Sequence, residues 1–317
     1  MKRRITLWGI TALLWIGAGG CALPAARSSS GFGSPGRWEE IRRIEYGKIP
    51  ADKLSGALGP ADLVYLVTVA AFHNGRYGLT AGPDDDVRFT TDGGVSWTKA
   101  SGELHCRHGL EIVDERVAWH CGNGGTRVST DGGRTWKTVA PSVCPNLSFL
   151  DAQTGWAASP YQLQATADGG ATWSGLEPPV GKEKIAAVAL RTRAAGYVLD
   201  EAGNLFLTTD GGASWEKSSL GLKSGERLIP SVNGPRAALR FPDDRNGVAV
   251  FDLLDRSVWF AVTADGGRTW QRAEIPSLRN RSYYFQAYLS RDGRWLTVTD
   301  DFNNGKNESV VFRYIAD

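Results

Sequence analysis

Eight residues, TTDGGVSW at 90–97, return four more times along the chain. The later copies are STDGGRTW at 129–136, TADGGATW at 166–173, TTDGGASW at 208–215 and TADGGRTW at 263–270. Their aspartates are separated by 39, 37, 42 and 55 residues. A period near forty residues marks an architecture of repeated supersecondary units, none of which buries its apolar face alone. Each copy is preceded by an apolar strand, a turn and a second strand, as in LEIVDERVAWHCG, LSFLDAQTGWAAS, AVALRTRAAGYVLD and ALRFPDDRNGVAVF, and more loosely in VTVAAFHNGRYGLTAG. Leu79, Trp119, Trp156, Tyr197 and Val248 fall at matching places in the second strand, where period-two alternation puts them on a packed sheet face. Each unit therefore reads as four strands, A to D, with the repeated motif at the C–D turn. This predicts an all-β fold, a β-propeller of six four-stranded blades, with seven as the alternative.

The motif residues are Asp92, Gly93, Gly94 and Trp97; Asp131, Gly132, Gly133 and Trp136; Asp168, Gly169, Gly170 and Trp173; Asp210, Gly211, Gly212 and Trp215; and Asp265, Gly266, Gly267 and Trp270. Asp-Gly between strands favours a tight turn with positive φ, and the second glycine extends that freedom. The carboxylate can accept from turn N–H groups, the Ser or Thr after the glycines can bond across the turn, and the Trp can anchor strand D. Every member has a structural task, and five copies suit a building device better than one active site.

The last unit is incomplete. AYLSRDGRWLTV at 287–298 reads as an A–B hairpin, with Trp295 matched to Trp119, and ESVVFRYIAD supplies strand C before the chain stops. GRWEEIRRIEY near the start can supply the missing strand D, with Trp38 in the place of a motif Trp. An N-terminal strand then completes the last blade and closes the ring, leaving no open sheet edge between first and last units. The segment 216–235 reads as a long inter-blade loop.

The first residues are a targeting segment. MKRR, then ITLWGITALLWIGA, then AGGC give a signal peptide over 1–20. Cys21 is the candidate lipidation site, and residues 21–36, containing SSSGFGSPG, form a flexible tether. Residues 37–317 are a single propeller domain. This order predicts a bacterial lipoprotein, exported and membrane-anchored, facing the periplasm or the cell exterior. Removing Lys2, Arg3 and Arg4 with the leader takes the formal charge from +2 to about −1, so no basic face invites nucleic acid.

Three further cysteines, Cys106, Cys121 and Cys144, lie near His105, His108 and His120. Their spacing fits no standard zinc pattern, and His120 and Cys121 point to opposite faces of a strand. Cys106 and Cys144 precede their motif aspartates by 25 and 24 residues, which places them equivalently in adjacent blades. A Cys106–Cys144 disulfide is expected, with Cys106–Cys121 as the alternative, as an exported protein permits. PDDD at 83–86 lacks calcium-loop spacing, and no nucleotide fingerprint is present. No metal and no cofactor is expected.

S/T-x-D-G-G-x-S/T-W resembles the Asp-box, or BNR repeat, of sialidases, sortilin-type receptors and photosystem II assembly factors. The resemblance spans about residues 60–270 at the level of the repeat. In organisation the chain is closest to the photosystem II stability and assembly factor group: a lipobox-like leader, a Trp-led first strand and the Gly155–Trp156 pair. It is more distantly similar to sialidase-like and sortilin-like propellers. The first resemblance implies a non-catalytic binding or assembly scaffold for a protein partner such as a membrane complex. Two departures are that group's seven blades and its basic patch, which is not evident here because the arginines are scattered. The alternative, a sialidase-like glycoside hydrolase, implies an arginine triad, a Tyr–Glu pair and an Asp acid. Its candidates are Arg191, Arg193 or Arg240 and Tyr283 or Tyr284, while the Arg-Ile-Pro signature is absent from the chain. A third reading is a glycan- or small-ligand-binding propeller with its site at the central pore mouth, served by the loops at 216–235 or 300–308. No catalytic residue is assigned.

Peptide mapping of the membrane-purified chain by mass spectrometry checks the cysteine assignments. The expected products are an acylated Cys21 peptide and a Cys106–Cys144 crosslinked pair. An unmodified Cys21 refutes the anchor, and three free thiols with bound zinc refute the disulfide.

Overall fold

A computed structural model describes residues 36–48, 69–81, 87–101, 109–122, 125–140, 146–229, 237–255, 257–278, 286–301 and 306–316. Within them the chain is an all-β propeller of six four-stranded antiparallel sheets. The first strand, β1 (Arg37–Lys48), belongs to the last blade. Blade 1 is β2 (Val69–Phe72), β3 (Gly78–Ala81), β4 (Val87–Thr90) and β5 (Thr98–Lys99); blade 2 is β6 (Leu110–Ile112), β7 (Ala118–Gly122), β8 (Gly125–Ser129) and β9 (Lys137–Ala140). Blade 3 is β10 (Asn146–Phe149), β11 (Gly155–Ser159), β12 (Gln162–Thr166) and β13 (Ser174–Leu176); blade 4 is β14 (Ile185–Leu190), β15 (Gly196–Asp200), β16 (Asn204–Thr208) and β17 (Glu216–Ser219). Blade 5 is β18 (Ala237–Arg240), β19 (Gly247–Asp252), β20 (Val258–Thr263) and β21 (Gln271–Glu274). Blade 6 is β22 (Gln286–Leu289), β23 (Trp295–Asp301) and β24 (Lys306–Ile315), completed by β1. Among the described residues, no helix is long and apolar enough to cross a membrane.

The strands alternate as their positions demand. Innermost strands such as IAAVAL are buried on both faces, because blades flank them on either side. Outermost strands such as EKSS are largely exposed. Between blades lie apolar clusters: Trp119 stacks on Phe149 at 3.7 Å, and Tyr197 stacks on Phe241 at 3.5 Å. Leu79, Trp119, Trp156, Tyr197 and Val248 all pair with the strand-C residue three before the motif Asp, so they are structurally equivalent.

The C–D turns share one geometry. In blade 1, Thr90 Oγ1 donates to Asp92 Oδ1 at 2.8 Å and accepts from Gly94 N at 2.8 Å. Asp92 in turn accepts from Ser96 N at 3.0 Å and from Ser96 Oγ at 2.6 Å. The same bonds recur around Asp131, Asp168, Asp210 and Asp265. Both glycines take positive φ in every copy, and a Cβ on Gly133 would stand 2.5 Å from Leu79 Cδ2. Trp136, Trp173 and Trp270 donate their indole N–H to the carbonyl of the second glycine, at 3.0, 3.1 and 3.1 Å.

The ring closes through β1, whose Trp38 packs edge-on against Phe260 of blade 5 and Tyr314 of blade 6. Trp38 thus fills the seam with the preceding blade, but not at the register of a motif Trp. The residue after Trp97, Thr98, pairs with Phe89. Val311, the strand-C counterpart of Phe89, pairs with Arg42, which puts Ile41 in the motif-Trp register. The chain enters blade 6 from its N-terminus rather than through a tight turn, so nothing holds the tryptophan to the motif spacing. Trp295 also needs correction. Thr297 occupies the position of Trp119, and Trp295 opens the strand two residues earlier, because the Leu289–Leu296 pair sets the hairpin register. Finally, Glu216–Ser219 of the expected loop is strand β17. The described part that follows is strapped to blades 4 and 5 by Arg227 to Glu183 and Glu201, and by Glu226 to Arg272.

The motif carboxylates are held below the ordinary range. Hydrogen bonds from Thr172 take Asp168 to about 2, and bonds from Ser96 and Ser214 take Asp92 and Asp210 lower still. At Asp265 burial pulls upward, but bonds from Thr269 outweigh it and leave the value at about 2. Folded values below the unfolded value of about 3.9 contribute stability above that pH, and it is lost as pH falls through the folded values. Circular dichroism should therefore show cooperative loss of the propeller between about pH 4 and pH 2. Complete unfolding above pH 5 would count against the motif as the acid-sensitive element.

Candidate functional site at the mouth of the axis

All A–B and C–D turns open on one face, because each motif turn is hydrogen-bonded to the A–B turn of its own blade. Gly93 N donates to Arg76 O, and the equivalent bonds run from Gly132, Gly169, Gly211 and Gly266. The inner strands β2, β6, β10, β14, β18 and β22 surround the axis. At one level, set by pairing with the equivalent strand-B residues Leu79, Trp119, Trp156, Tyr197, Val248 and Thr297, they present Ala71, Glu111, Ser148, Ala189, Arg240 and Tyr288. Three of these are small and three are large and polar.

The large three close the axis. Arg240 of blade 5 pairs through Nη2 with Glu111 of the diametrically opposite blade 2, both buried. Its Nε also donates to Leu289 O at 3.1 Å, and its Nη1 to Leu239 O at 3.0 Å. Tyr288 of blade 6 donates through its hydroxyl to Ile112 O at 3.2 Å and accepts from Ile112 N at 3.3 Å. Burial pushes the Glu111 carboxyl upward against the opposing pull of Arg240 and Arg291, and burial raises the Tyr288 phenol far above its usual range. On the far side of this plug only about 30 Å³ is open, and Asn146 Nδ2 there has no partner.

On the turn side the axis widens into a cavity of about 390 Å³. Its polar lining comes from His73, Asn74, Glu111, Ser148, Arg191, Arg240, Arg291 and Asp292. The three arginines come from blades 4, 5 and 6. In five blades the A–B turn is five residues long, 73–77, 113–117, 150–154, 191–195 and 242–246, and the second is Asn74, Asp114, Asp151, Thr192 or Asp243. Each of these caps its own turn by accepting backbone N–H bonds. In blade 6 the turn 290–295 has six residues, and the capping role passes to Asp292. Arg291 is the extra residue. It is free of the capping task and reaches across the mouth to blade 3, donating through Nη1 to Phe149 O at 3.1 Å and Leu150 O at 2.7 Å.

Arg191 and His73 begin the equivalent turns of opposite blades 4 and 1. Arg191 Nε and His73 Nδ1 are buried and have no hydrogen-bond partner. Arg191 lies near Tyr197, whose phenol is raised by burial against the pull of that charge. It also lies near Asp243, where burial pulls upward but bonds from Asn246 and the charge of Arg191 leave the value lowered. The acids of the cavity are committed: Glu111 to Arg240, and Asp292 to Ser290 and Arg294 N.

The arginines that are scattered in sequence are thus gathered in space. Arg191 and Arg240 share the cavity with Arg291, which sequence reasoning missed, while Arg193 sits exposed on its turn outside it. Tyr283 and Tyr284 lie outside the described residues, as do Cys21, Cys106, Cys144, His105, His108, the PDDD turn, the tether and the leader. Cys121 is buried, with Thr126 Oγ1 at 3.6 Å from its sulfur. Among the described residues no group of three His, Cys, Asp or Glu side chains could hold a metal.

The BNR/Asp-box repeat family matches residues 127–138. No curated protein matches the sequence. Among solved structures, the propeller resembles YCF48 bound to a D1 peptide, with a TM-score of 0.53 at 13% identity, covering 90% of this chain and 96% of that one. It also resembles the WD40 repeats of RRP9, with a TM-score of 0.52 at 9% identity, covering 79% and 95%. An ancestral GH74 enzyme gives a TM-score of 0.49 at 13% identity over 90% of this chain and 40% of that one. At these identities the likeness to YCF48 and to the RRP9 repeats establishes the propeller fold alone.

A double-mutant cycle tests the axial plug. Glu111→Gln should destabilise the fold by about 3–5 kcal/mol, because it leaves a buried guanidinium without its counter-charge. Arg240→Met should cost a similar amount, and Glu111→Leu with Arg240→Met much less than the sum. Additive losses in denaturant titration would show that the two residues do not interact across the axis.

Proposed function

We propose that this chain is an exported, membrane-tethered, non-catalytic propeller that holds a protein partner at the axial mouth on its turn face. The observation that carries this reading is the cavity itself. It is large enough for a ligand group, is closed at its base by Glu111 and Arg240, and is ringed by turns that a rigid scaffold positions. Its acids are engaged in structural bonds, which suits binding better than proton transfer. A propeller of the same fold, YCF48, is described with a bound D1 peptide, which supports a peptide segment of a protein as the ligand class here. Lipid attachment at Cys21 and the tether over 21–36 would place the mouth near subunits of a membrane complex, the arrangement expected of an assembly factor.

Crosslinking and affinity capture from native membranes test the reading. Arg291→Glu reverses a charge at the rim and leaves both members of the Glu111–Arg240 pair in place, and capture of the partner should fall at least about tenfold, or about 1.4 kcal/mol of binding. Arg193→Glu, exposed and outside the cavity, should change little. Undiminished capture by Arg291→Glu, with both variants folded by circular dichroism, would overturn the reading.

A further inference from the structure

We propose that the mouth is a carboxylate-binding site in which Arg191, faced by His73 from the opposite blade, grips an acidic group of the partner. The inference rests on the mouth being the binding site and names the chemistry it selects.

The three arginines of the cavity are in three different states. Arg240 is neutralised by Glu111 and donates to two further carbonyls. Arg291 is spent on the carbonyls of Phe149 and Leu150. Arg191 forms no ion pair among the described residues; its guanidinium bonds the Tyr197 phenol, while its Nε is a buried donor without an acceptor. A donor left in that state costs about 1–3 kcal/mol, which an arriving acceptor can recover. Across the axis His73 Nδ1 is likewise buried and without a partner, and the residue's main-chain N–H already bonds Tyr77 O at 3.0 Å. Both residues line the 390 Å³ cavity.

The charge balance selects the ligand. Arg191, Arg240 and Arg291 against Glu111 and Asp292 leave one positive charge in the lining. One positive charge matches a single carboxylate better than a phosphate dianion. The edge formed by Nε and one Nη of a guanidinium presents two parallel donors, the spacing a carboxylate accepts in bidentate fashion. Seating the ligand requires Arg191 to turn that edge into the cavity it already lines. Asp243 on the neighbouring turn feels the charge of Arg191, and Asp244 and Arg268 act on the Tyr197 phenol beside it. Asp243 is held by Asn246 and by backbone N–H groups, so it is not an acceptor waiting for this arginine.

The carboxylate can belong to an acidic side chain or to a chain end, and the test separates them. Three acetylated five-residue peptides serve as probes with the purified chain: alanine with a central glutamate and an amidated end, all-alanine with a free end, and all-alanine with an amidated end. Binding is read by calorimetry and by the arginine Nε–H resonances in nitrogen-15 spectra. The expected result is that one or both carboxylate peptides bind and shift the Arg191 resonance, while the neutral peptide does neither. Arg191→Gln should weaken binding about tenfold, and Arg193→Gln should leave it unchanged. Equal binding of the neutral peptide, no binding of either carboxylate peptide, or equal losses in the two variants would overturn the proposal. If the carboxylate peptides fail while Arg291→Glu still abolishes partner capture, the mouth remains the binding site and only the carboxylate assignment falls.

Discussion

The bond between the motif carboxylate and the hydroxyl two residues before it holds the rest of the molecule in register. Thr90, Ser129, Thr166, Thr208 and Thr263 donate to their aspartates and accept from the second glycine. This locks the C–D turn, and the first glycine then donates to the A–B turn beside it. The two turns of a blade are therefore fixed to each other before any blade meets its neighbour. Repeated in five blades, this coupling puts their A–B turns at the same height. A mouth lined by equivalent positions from six blades follows, and with it a cavity whose chemistry is decided by single substitutions at those positions.

Closure of the axis depends on a second constraint. Six inner strands leave too much space for alanines and too little for six large side chains. The level occupied by Ala71, Ser148 and Ala189 on one hand, and Glu111, Arg240 and Tyr288 on the other, resolves this by mixing small and large side chains rather than by symmetry. Charge inside the axis is tolerated because Arg240 finds a carboxylate and two carbonyls, which satisfies the buried guanidinium. The plug gives the ring a diametric tie in addition to its circumferential one at β1 and β24.

The repeat made the architecture legible because one physical demand was written five times, each time with residues that few other contexts require. Closure by the N-terminal strand was legible for the complementary reason: a blade lacking its fourth strand must find one. The site was harder to read. Its contacts join residues that no local pattern relates, Glu111 with Arg240 and Arg291 with Phe149. Two cues were present. Glu111 and Arg240 are charges within LEI and AALR, strands otherwise apolar enough to be buried on both faces. SRDGRW is one residue longer than the other A–B turns, a difference visible only once the hairpin register is known. Matching Trp295 to Trp119 concealed that extra residue, because likeness of side chain was allowed to set the register that backbone pairing determines.

Departure from the repeat is where the molecule becomes specific. Five turns spend their second residue on capping themselves, and such a turn presents its outer surface and little else. The sixth shifts the cap to Asp292 and gains Arg291, a long cation with no duty inside its own blade. Arg191 arises differently, by placing an arginine where the other turns have His73, Val113, Leu150, Pro242 and Ser290. Neither change disturbs the hydrogen bonds that hold the turns. A scaffold whose stability rests in the C–D turns and the inter-blade aromatics leaves its A–B turns open to such changes. The face that the motif builds is for that reason the face on which recognition can be varied.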